Sequence, residues 1–238
     1  MKTVLITGGS RGIGAALVRA FCGAGYSVAF TYKSSVAEAE ALALECGALA
    51  VRADAADPTE VEGSLSLVRE KLGGIDVLIN NVGISSFSLL TDLTLQDWNR
   101  MLAVNLTSAF LYSKGVIPGM VNKKWGRIIN ITSMWGLVGS SCEVHYSTTK
   151  AALIGFTKAL AKELGPSGIT VNAIAPGLIN TDMNASLSAE DLAAVADETP
   201  LMRAGEPCEI ASCALFLAGD GASFVTGDVM NVSGGYVI

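Results

Sequence analysis

The chain has 238 residues, half of them hydrophobic and only 16% charged, with 26 glycines. This suits a single compact α/β domain over residues 1–238 with a large core and many tight turns, and it excludes a disordered chain. A net charge of −6 and a pI near 4.8 exclude the broad basic footprint of a nucleic-acid binder. No apolar stretch reaches membrane-spanning length and no secretory leader precedes the first apolar run, so a cytoplasmic location is expected.

Short β-rich runs at 3–7, 27–31, 48–52, 77–80, 127–131, 170–175 and 228–232 alternate with helix-like stretches. The strands are apolar on both faces, which places helices on either side of a parallel sheet. The expected architecture is a doubly wound Rossmann fold with a seven-stranded, mainly parallel sheet. No linker or internal repeat divides the chain. The least regular region, 178–205, is expected to be a substrate lid.

Directly after the first run comes Thr7-Gly8-Gly9-Ser10-Arg11-Gly12-Ile13-Gly14, followed by a helical pattern. Glycines at 8, 12 and 14 permit a tight turn, close approach of backbone to a pyrophosphate, and close packing of helix on strand. The helix N-terminus attracts the anion. This is a dinucleotide site by its order of elements.

An NAD site places a carboxylate about 20 residues after such a turn, to hold the ribose 2′-hydroxyl. Here the first acidic residue is Glu38, and the second strand ends in Thr31-Tyr32-Lys33-Ser34-Ser35. With Arg11 inside the glycine turn, cations and hydroxyls are available for a 2′-phosphate, so the expected cofactor is NADPH.

The cysteines at 22, 46, 142, 208 and 213 are odd in number and lack metal-type pairing, and there is one histidine. They read as free thiols, and no metal is expected. Cys142 stands near Tyr146 and is a candidate pocket residue.

Tyr146 and Lys150 lie four residues apart, so a helix brings phenol and ammonium onto one face. A free tyrosine has a pKa of about 10, and lowering it by roughly three units requires about 4 kcal/mol. One cation at about 4 Å in an effective dielectric of about 20 supplies an energy on that order. Ser133 follows the apolar strand at 127–131 and should emerge at the carboxyl edge of the sheet, where ligands sit. Tyr146 is the candidate general acid, and Ser133 the donor to an oxygen on which charge develops.

Taken together, the glycine turn, Asp54, Asn80-Asn81-Val82-Gly83, Asn105, Ser133, Tyr146, Lys150, Pro176-Gly177 and Thr181 resemble the short-chain dehydrogenase/reductase family nearly end to end. The resemblance implies that Asn105 joins the catalytic set by holding a water that leads to solvent. Lys150 would lower the tyrosine pKa and bind the nicotinamide ribose. Asp54 would hold adenine, Asn81 would brace the sheet, and Ile179 and Thr181 would hold the carboxamide. The expected cofactor set is Gly8, Ser10, Arg11, Gly12, Ile13, Gly14, Tyr32, Lys33, Asp54, Ala55, Asn81, Gly83, Tyr146, Lys150, Pro176, Gly177, Ile179 and Thr181. Val82 stands where relatives carry alanine, and His145 where many carry asparagine.

Within that family the motifs look most like 3-oxoacyl-carrier-protein reductases, NADPH enzymes of fatty-acid synthesis that dock an acidic carrier through basic residues. Lys123, Lys124 and Arg127 offer a basic cluster, while Ser167 occupies a place where some such reductases carry a further basic residue. Ser133, Trp135, Cys142 and Tyr146 are the expected substrate pocket, with Met134, Leu137 and Val138 beside them. An NADPH-dependent reductase of free ketones, sugars, steroids or other secondary metabolites, and a non-catalytic nucleotide-binding regulator, are the alternatives. The resemblance further implies a homotetramer paired through the Tyr146 helix, where Ala151, Ala152 and Gly155 permit close approach, and through the C-terminal region.

Overall fold

Strand β1 (Thr3–Ile6) lies at the middle of the sheet, and the chain builds outward from it in both directions. The remaining strands are β2 (Ser27–Tyr32), β3 (Leu49–Arg52), β4 (Val77–Asn80), β5 (Gly126–Ile131), β6 (Ile169–Pro176) and β7 (Val229–Val232). This computed structural model describes residues 1–184 and 188–238. The order is β3-β2-β1-β4-β5-β6-β7, and all six neighbouring pairs are parallel. Every strand lies within a residue or two of its expected position.

The helices are α1 (Gly12–Gly23), α2 (Val36–Cys46), α3 (Pro58–Leu72), α4 (Leu95–Leu102), α5 (Ser108–Lys123), α6 (Trp135–Val138), α7 (Val144–Leu164), α8 (Ala189–Glu198) and α9 (Pro207–Ala218). Successive strand residues point to opposite faces, and the core obeys that period. Val4 and Ile6 pack with α1, α2 and α9, whereas Leu5 packs with α3, α5 and α7. Val77 and Ile79 against Leu78, and Ile129 and Ile131 against Ile128, repeat the division. Each fully buried large side chain contributes roughly 1.5–3 kcal/mol.

Local chemistry sets the helix ends. The Asp57 carboxylate accepts from the amides of Thr59 and Glu60 at 2.7 and 3.2 Å, and Pro58 follows it at the start of α3. Thr94 and Asp97 form a reciprocal capping box on α4. Between α4 and α5 the helix loosens into a π turn, Ala103–Thr107, which carries Asn105.

Because β2 and β3 lie on one side of β1 while β4 lies on the other, the strand order reverses between β1 and β4. That reversal opens a crevice at the carboxyl ends of the strands. Among the described residues no helix is long and apolar enough to cross a membrane. The expected lid, 178–205, contains a short 3-10 turn at Asp182–Asn184 and helix α8, and its positions 185–187 lie outside the described residues.

Candidate active site

The glycine turn occupies the crevice between β1 and β4. Gly8 and Gly12 have φ of +66° and +51°, the left-handed region that glycine adopts without strain. A Cβ on Gly14 would lie 2.1 Å from the Gly8 carbonyl oxygen, so α1 enters the turn at a closeness only glycine permits. The amides of Gly8 and Gly9 donate to Thr31 Oγ1 and Thr31 O at 3.3 and 2.9 Å, hanging the turn on the end of β2. From β4, Asn81 Nδ2 donates to the carbonyls of Thr7 and Gly8 at 2.9 and 3.0 Å. Asn81 thus ties the β4 end to the β1 turn. No side chain caps the N-terminus of α1 and no acid stands in its first turn, which suits an anionic diphosphate. Gly12 also faces Thr181, whose Cγ2 would lie 3.3 Å from an added Cβ, so the β1 and β6 loops meet across the crevice.

The cations at the adenosine end are not free, contrary to expectation. Lys33 Nζ lies 2.5 Å from Asp54 Oδ2, and Arg11 Nη1 lies 3.9 Å from Asp182 Oδ2. Burial works against the Asp54 carboxylate, but the Lys33 ammonium and the Ala56 amide outweigh it and hold its pKa below the usual range. Arg52, at the end of β3, donates from Nε to the Lys33 carbonyl at 3.2 Å. The sequence reading missed it because Arg52 and Tyr32 become neighbours only through the β2–β3 register.

At the other end of the crevice, β5 delivers Ser133 and α7 delivers Tyr146 and Lys150. Ser133 and Tyr146 are both buried there, and Ser133 Oγ accepts from the Trp135 amide at 3.1 Å. Burial pushes the Tyr146 phenol up to about 12, against the opposing influence of the Ser133 hydroxyl, while Glu143 pushes it further up. The downward shift expected from Lys150 is absent. Lys150 Nζ donates to the Ile131 carbonyl at 2.9 Å and lies 5.6 Å from the Tyr146 ring centroid, and its burial lowers its own pKa to about 8. Thr132 Oγ1 donates to the Lys150 carbonyl at 2.8 Å, fixing α7 against the end of β5.

Asn105 is buried behind Lys150. Its side chain accepts from the Ile84 amide at 2.8 Å and donates to the Ile84 carbonyl at 2.9 Å, pinning the segment after Gly83. An added Cβ on Gly83 would lie 3.4 Å from Lys150 Nζ and 3.6 Å from Asn105 Oδ1. Asn105, Ser133, Tyr146 and Lys150 therefore meet at one place.

Trp135 stacks edge-on against Tyr236 with centroids 5.6 Å apart, and Tyr236 donates its hydroxyl proton to Glu198 Oε2 at 3.1 Å. The C-terminal segment and the end of α8 thus join the wall beside Ser133, which local sequence did not show. Cys142 is partly exposed with φ of +61°, and its carbonyl accepts from the Ser88 amide at 2.8 Å. His145 is buried with Nε2 2.7 Å from Ser86 Oγ, a local hydrogen bond. The sequence reading also missed Glu143, a buried carboxyl one turn ahead of Tyr146.

The basic cluster does not form. Lys123 pairs with Asp76 at 2.6 Å, and Arg127 is buried on β5, its guanidinium carbon 4.4 Å from the Trp125 ring centroid. Both lie at the amino-terminal edge of the sheet, opposite the end that carries Tyr146.

A dinucleotide crevice with a buried phenol, hydroxyl and ammonium at its far end defines a nucleotide-dependent oxidoreductase. The family model described as "Enoyl-(Acyl carrier protein) reductase" matches residues 8–237. The 3-oxoacyl-[acyl-carrier-protein] reductase FabG of Aquifex aeolicus is 42% identical over 98% of this chain and 96% of its own length. The 3-oxoacyl-[acyl-carrier-protein] reductase of a Synechocystis species is 43% identical over 100% and 97%, and the FabG of Escherichia coli 39% over 98% and 96%. Among solved structures, a double mutant of a Serratia marcescens short-chain dehydrogenase/reductase superposes with a TM-score of 0.92 at 35% identity, covering 99% of this chain and 97% of that one. The chain belongs to the short-chain dehydrogenase/reductase family, whose oxidoreductases interconvert carbonyl and hydroxyl groups with a nicotinamide dinucleotide.

Proposed function

We propose that the protein reduces the 3-oxo group of an acyl thioester borne on acyl-carrier protein to the 3-hydroxyacyl product, with NADPH as reductant, in fatty-acid synthesis. The observation that carries the chemistry is the burial of Asn105, Ser133, Tyr146 and Lys150 together at the carboxyl edge of the sheet. The near-full-length likeness to reductases of that name supports the substrate.

The dinucleotide, when bound, supplies hydride to the substrate carbon. The glycine turn and the N-terminus of α1 hold its diphosphate, with Arg11, Tyr32 and Lys33 toward the 2′-phosphate. Asp54, Ala55, Asn81 and Gly83 hold the adenosine half. Pro176, Gly177, Ile179 and Thr181 hold the nicotinamide end. NADPH is favoured because no carboxylate precedes Glu38 in the sequence.

Ser133 donates a hydrogen bond to the substrate oxygen as negative charge grows there. Tyr146 then gives its proton to that oxygen: the phenol O–H bond breaks and the alcohol O–H bond forms. A phenol with a pKa near 12 is fully protonated at neutral pH, as a proton donor must be. Lys150 passes on the replacement proton, and Asn105 holds a water that leads to solvent. Trp135 and Cys142 border the pocket, and the 178–205 segment closes over it as a lid within a single domain. A tetramer pairs two copies of α7, where Ala151 and Gly155 are exposed, and uses the C-terminal region, where Phe224 and Ile238 are exposed.

The deciding experiment compares turnover of an acetoacetyl carrier thioester with that of free ketones, using NADPH and NADH in parallel. A clear preference for the carrier thioester with NADPH is expected. Equal turnover of free ketones overturns the substrate assignment in favour of a general ketone reductase.

A further inference from the structure

We propose that Tyr236 is a specificity-determining residue: its ring stands behind the Trp135 indole as a backstop, and the two together limit the length of acyl group that fits beside Ser133. The inference rests on the reading of Ser133 and Tyr146 as the corner that receives the substrate carbonyl.

The backbone at Trp135 is fixed without help from the C-terminal segment. Met134 N donates to the Pro176 carbonyl at 2.8 Å, Trp135 N to Ser133 Oγ at 3.1 Å, and Gly139 N to the Trp135 carbonyl at 3.0 Å. The half-buried indole is not part of that scaffold. It meets the Tyr236 ring edge-on, with centroids 5.6 Å apart and planes at 87°. Contact of this geometry favours one orientation of the indole as well as covering it.

Tyr236 is itself held from two sides. Before it the chain makes a tight turn, with Gly234 and Gly235 at φ of +66° and +91°, that seats against the residues just after α8. An added Cβ on Gly234 would lie 2.7 Å from Thr199 Cγ2, and one on Gly235 would lie 2.8 Å from Pro200 Cγ. Leu201 N donates to the Gly234 carbonyl at 3.1 Å, and Tyr236 N to the Ser233 carbonyl at 3.2 Å. At its far end the phenol donates to Glu198 Oε2 at 3.1 Å. The ring is thus braced at its backbone and at its hydroxyl. The same segment runs beside the loop after β6, where Gly177 N donates to the Val232 carbonyl at 2.9 Å.

A substrate whose carbonyl oxygen reaches Ser133 carries part of its acyl group past Trp135, the first residue of α6. An indole with a braced ring behind it cannot retreat from a chain that needs more room, and an apolar pocket discriminates by such contacts. Truncating Tyr236 opens space into which the indole can swing. Ser133 keeps its place, because its partner is the Trp135 backbone and not the indole.

The test measures kcat/KM with NADPH for acetoacetyl and 3-oxodecanoyl groups on acyl-carrier protein, and in parallel for a short and a long methyl ketone. Tyr236→Ala should raise the long-to-short ratio at least about tenfold, the lower end of what one methylene of fit is worth in an apolar pocket. Loss of packing alone would lower both rates and cannot produce that gain. Tyr236→Phe keeps the ring and should keep the wild-type ratio. Trp135→Ala should raise the ratio by itself, and adding Tyr236→Ala to it should change little further, because the two rings act as one wall. Tyr236→Leu should shift the ratio in the same direction and decides the matter if the alanine variant fails to fold. An unchanged or lower ratio in the folded variants, or a Tyr236→Ala effect undiminished without the indole, overturns the inference alone. Turnover of ketones but not of carrier thioesters overturns the substrate reading, and the ketone ratio then decides the inference. Turnover of neither overturns both.

Discussion

Lys150 donates to the backbone carbonyl of Ile131 at 2.9 Å rather than lying against the Tyr146 hydroxyl. The two residues are 19 apart in sequence, and the bond joins α7 to the last residue of β5. A carbonyl is a weaker counterpart than a carboxylate, so the buried ammonium is solvated but not neutralised. Its pKa accordingly falls from 10.5 to about 8.

That depression predicts a pH dependence of stability. Below about pH 8 the folded protein holds a buried charge. Between about 8 and 10.5 the unfolded chain binds the proton more tightly than the fold does, so stability rises with pH. The gain has an upper size of about 3 kcal/mol. Tyr146 acts in the opposite sense: its folded pKa is raised from 10 to about 12, so its contribution is lost as pH climbs through that window. Denaturant melts from pH 7 to 10 should show the midpoint climbing, and Lys150→Met should flatten the climb. A wild-type midpoint that falls steadily over this range contradicts the assignment.

Replacing Tyr146 by Phe leaves the ring in its packing and removes only the hydroxyl group. Carbonyl reduction should drop by about a thousandfold, within the range general-acid catalysis supplies, while dinucleotide affinity changes by less than about threefold. Steady-state kinetics and fluorescence titration check the two halves. Ser133→Ala should also lower kcat without abolishing binding, because one hydrogen bond to the growing charge is lost.

Cofactor choice depends on cations that are already engaged. Lys33 sits against Asp54 and Arg11 faces Asp182, so a 2′-phosphate must compete with these carboxylates. Reversing both charges, Arg11→Glu with Lys33→Glu, should raise KM for NADPH at least about tenfold, since each charged hydrogen bond contributes roughly 1.5–3 kcal/mol. KM for NADH should change much less. Selectivity unchanged by the double substitution rules out both residues as phosphate ligands.

Most of the fold was legible because the strands are buried on both faces, so runs such as Val77–Asn80 stand out from the amphipathic helices. The glycine turn was legible because its backbone demands particular residues at particular places. Pairings between distant side chains were not. Lys33 reads as a free surface cation until Asp54 comes beside it at the ends of β2 and β3. Arg127 reads as part of a basic cluster until β5 is buried on both sides and carries it inward. Tyr236 gave no local signal, because its importance comes from Trp135, which only the tertiary fold sets against it.

Two glycines that look alike in sequence should respond oppositely to alanine. At Gly14 an added methyl meets the Gly8 carbonyl oxygen at 2.1 Å and Gly9 Cα at 2.9 Å, both backbone atoms that no rotamer change can move. Gly14→Ala should therefore cost about 3 kcal/mol or more by forcing α1 off the turn, and dinucleotide binding should go with it. At Gly155, on the exposed face of α7, an added methyl meets nothing within 4 Å. Gly155→Ala should stabilise an isolated protomer by up to about 1 kcal/mol through helix propensity alone. If α7 pairs with α7 of a second copy, the same methyl intrudes on the close approach. The variant should then dissociate at higher protein concentration than wild type in analytical ultracentrifugation while its secondary structure melts no earlier. An assembly unaffected by Gly155→Ala would place the subunit contact away from this helix face.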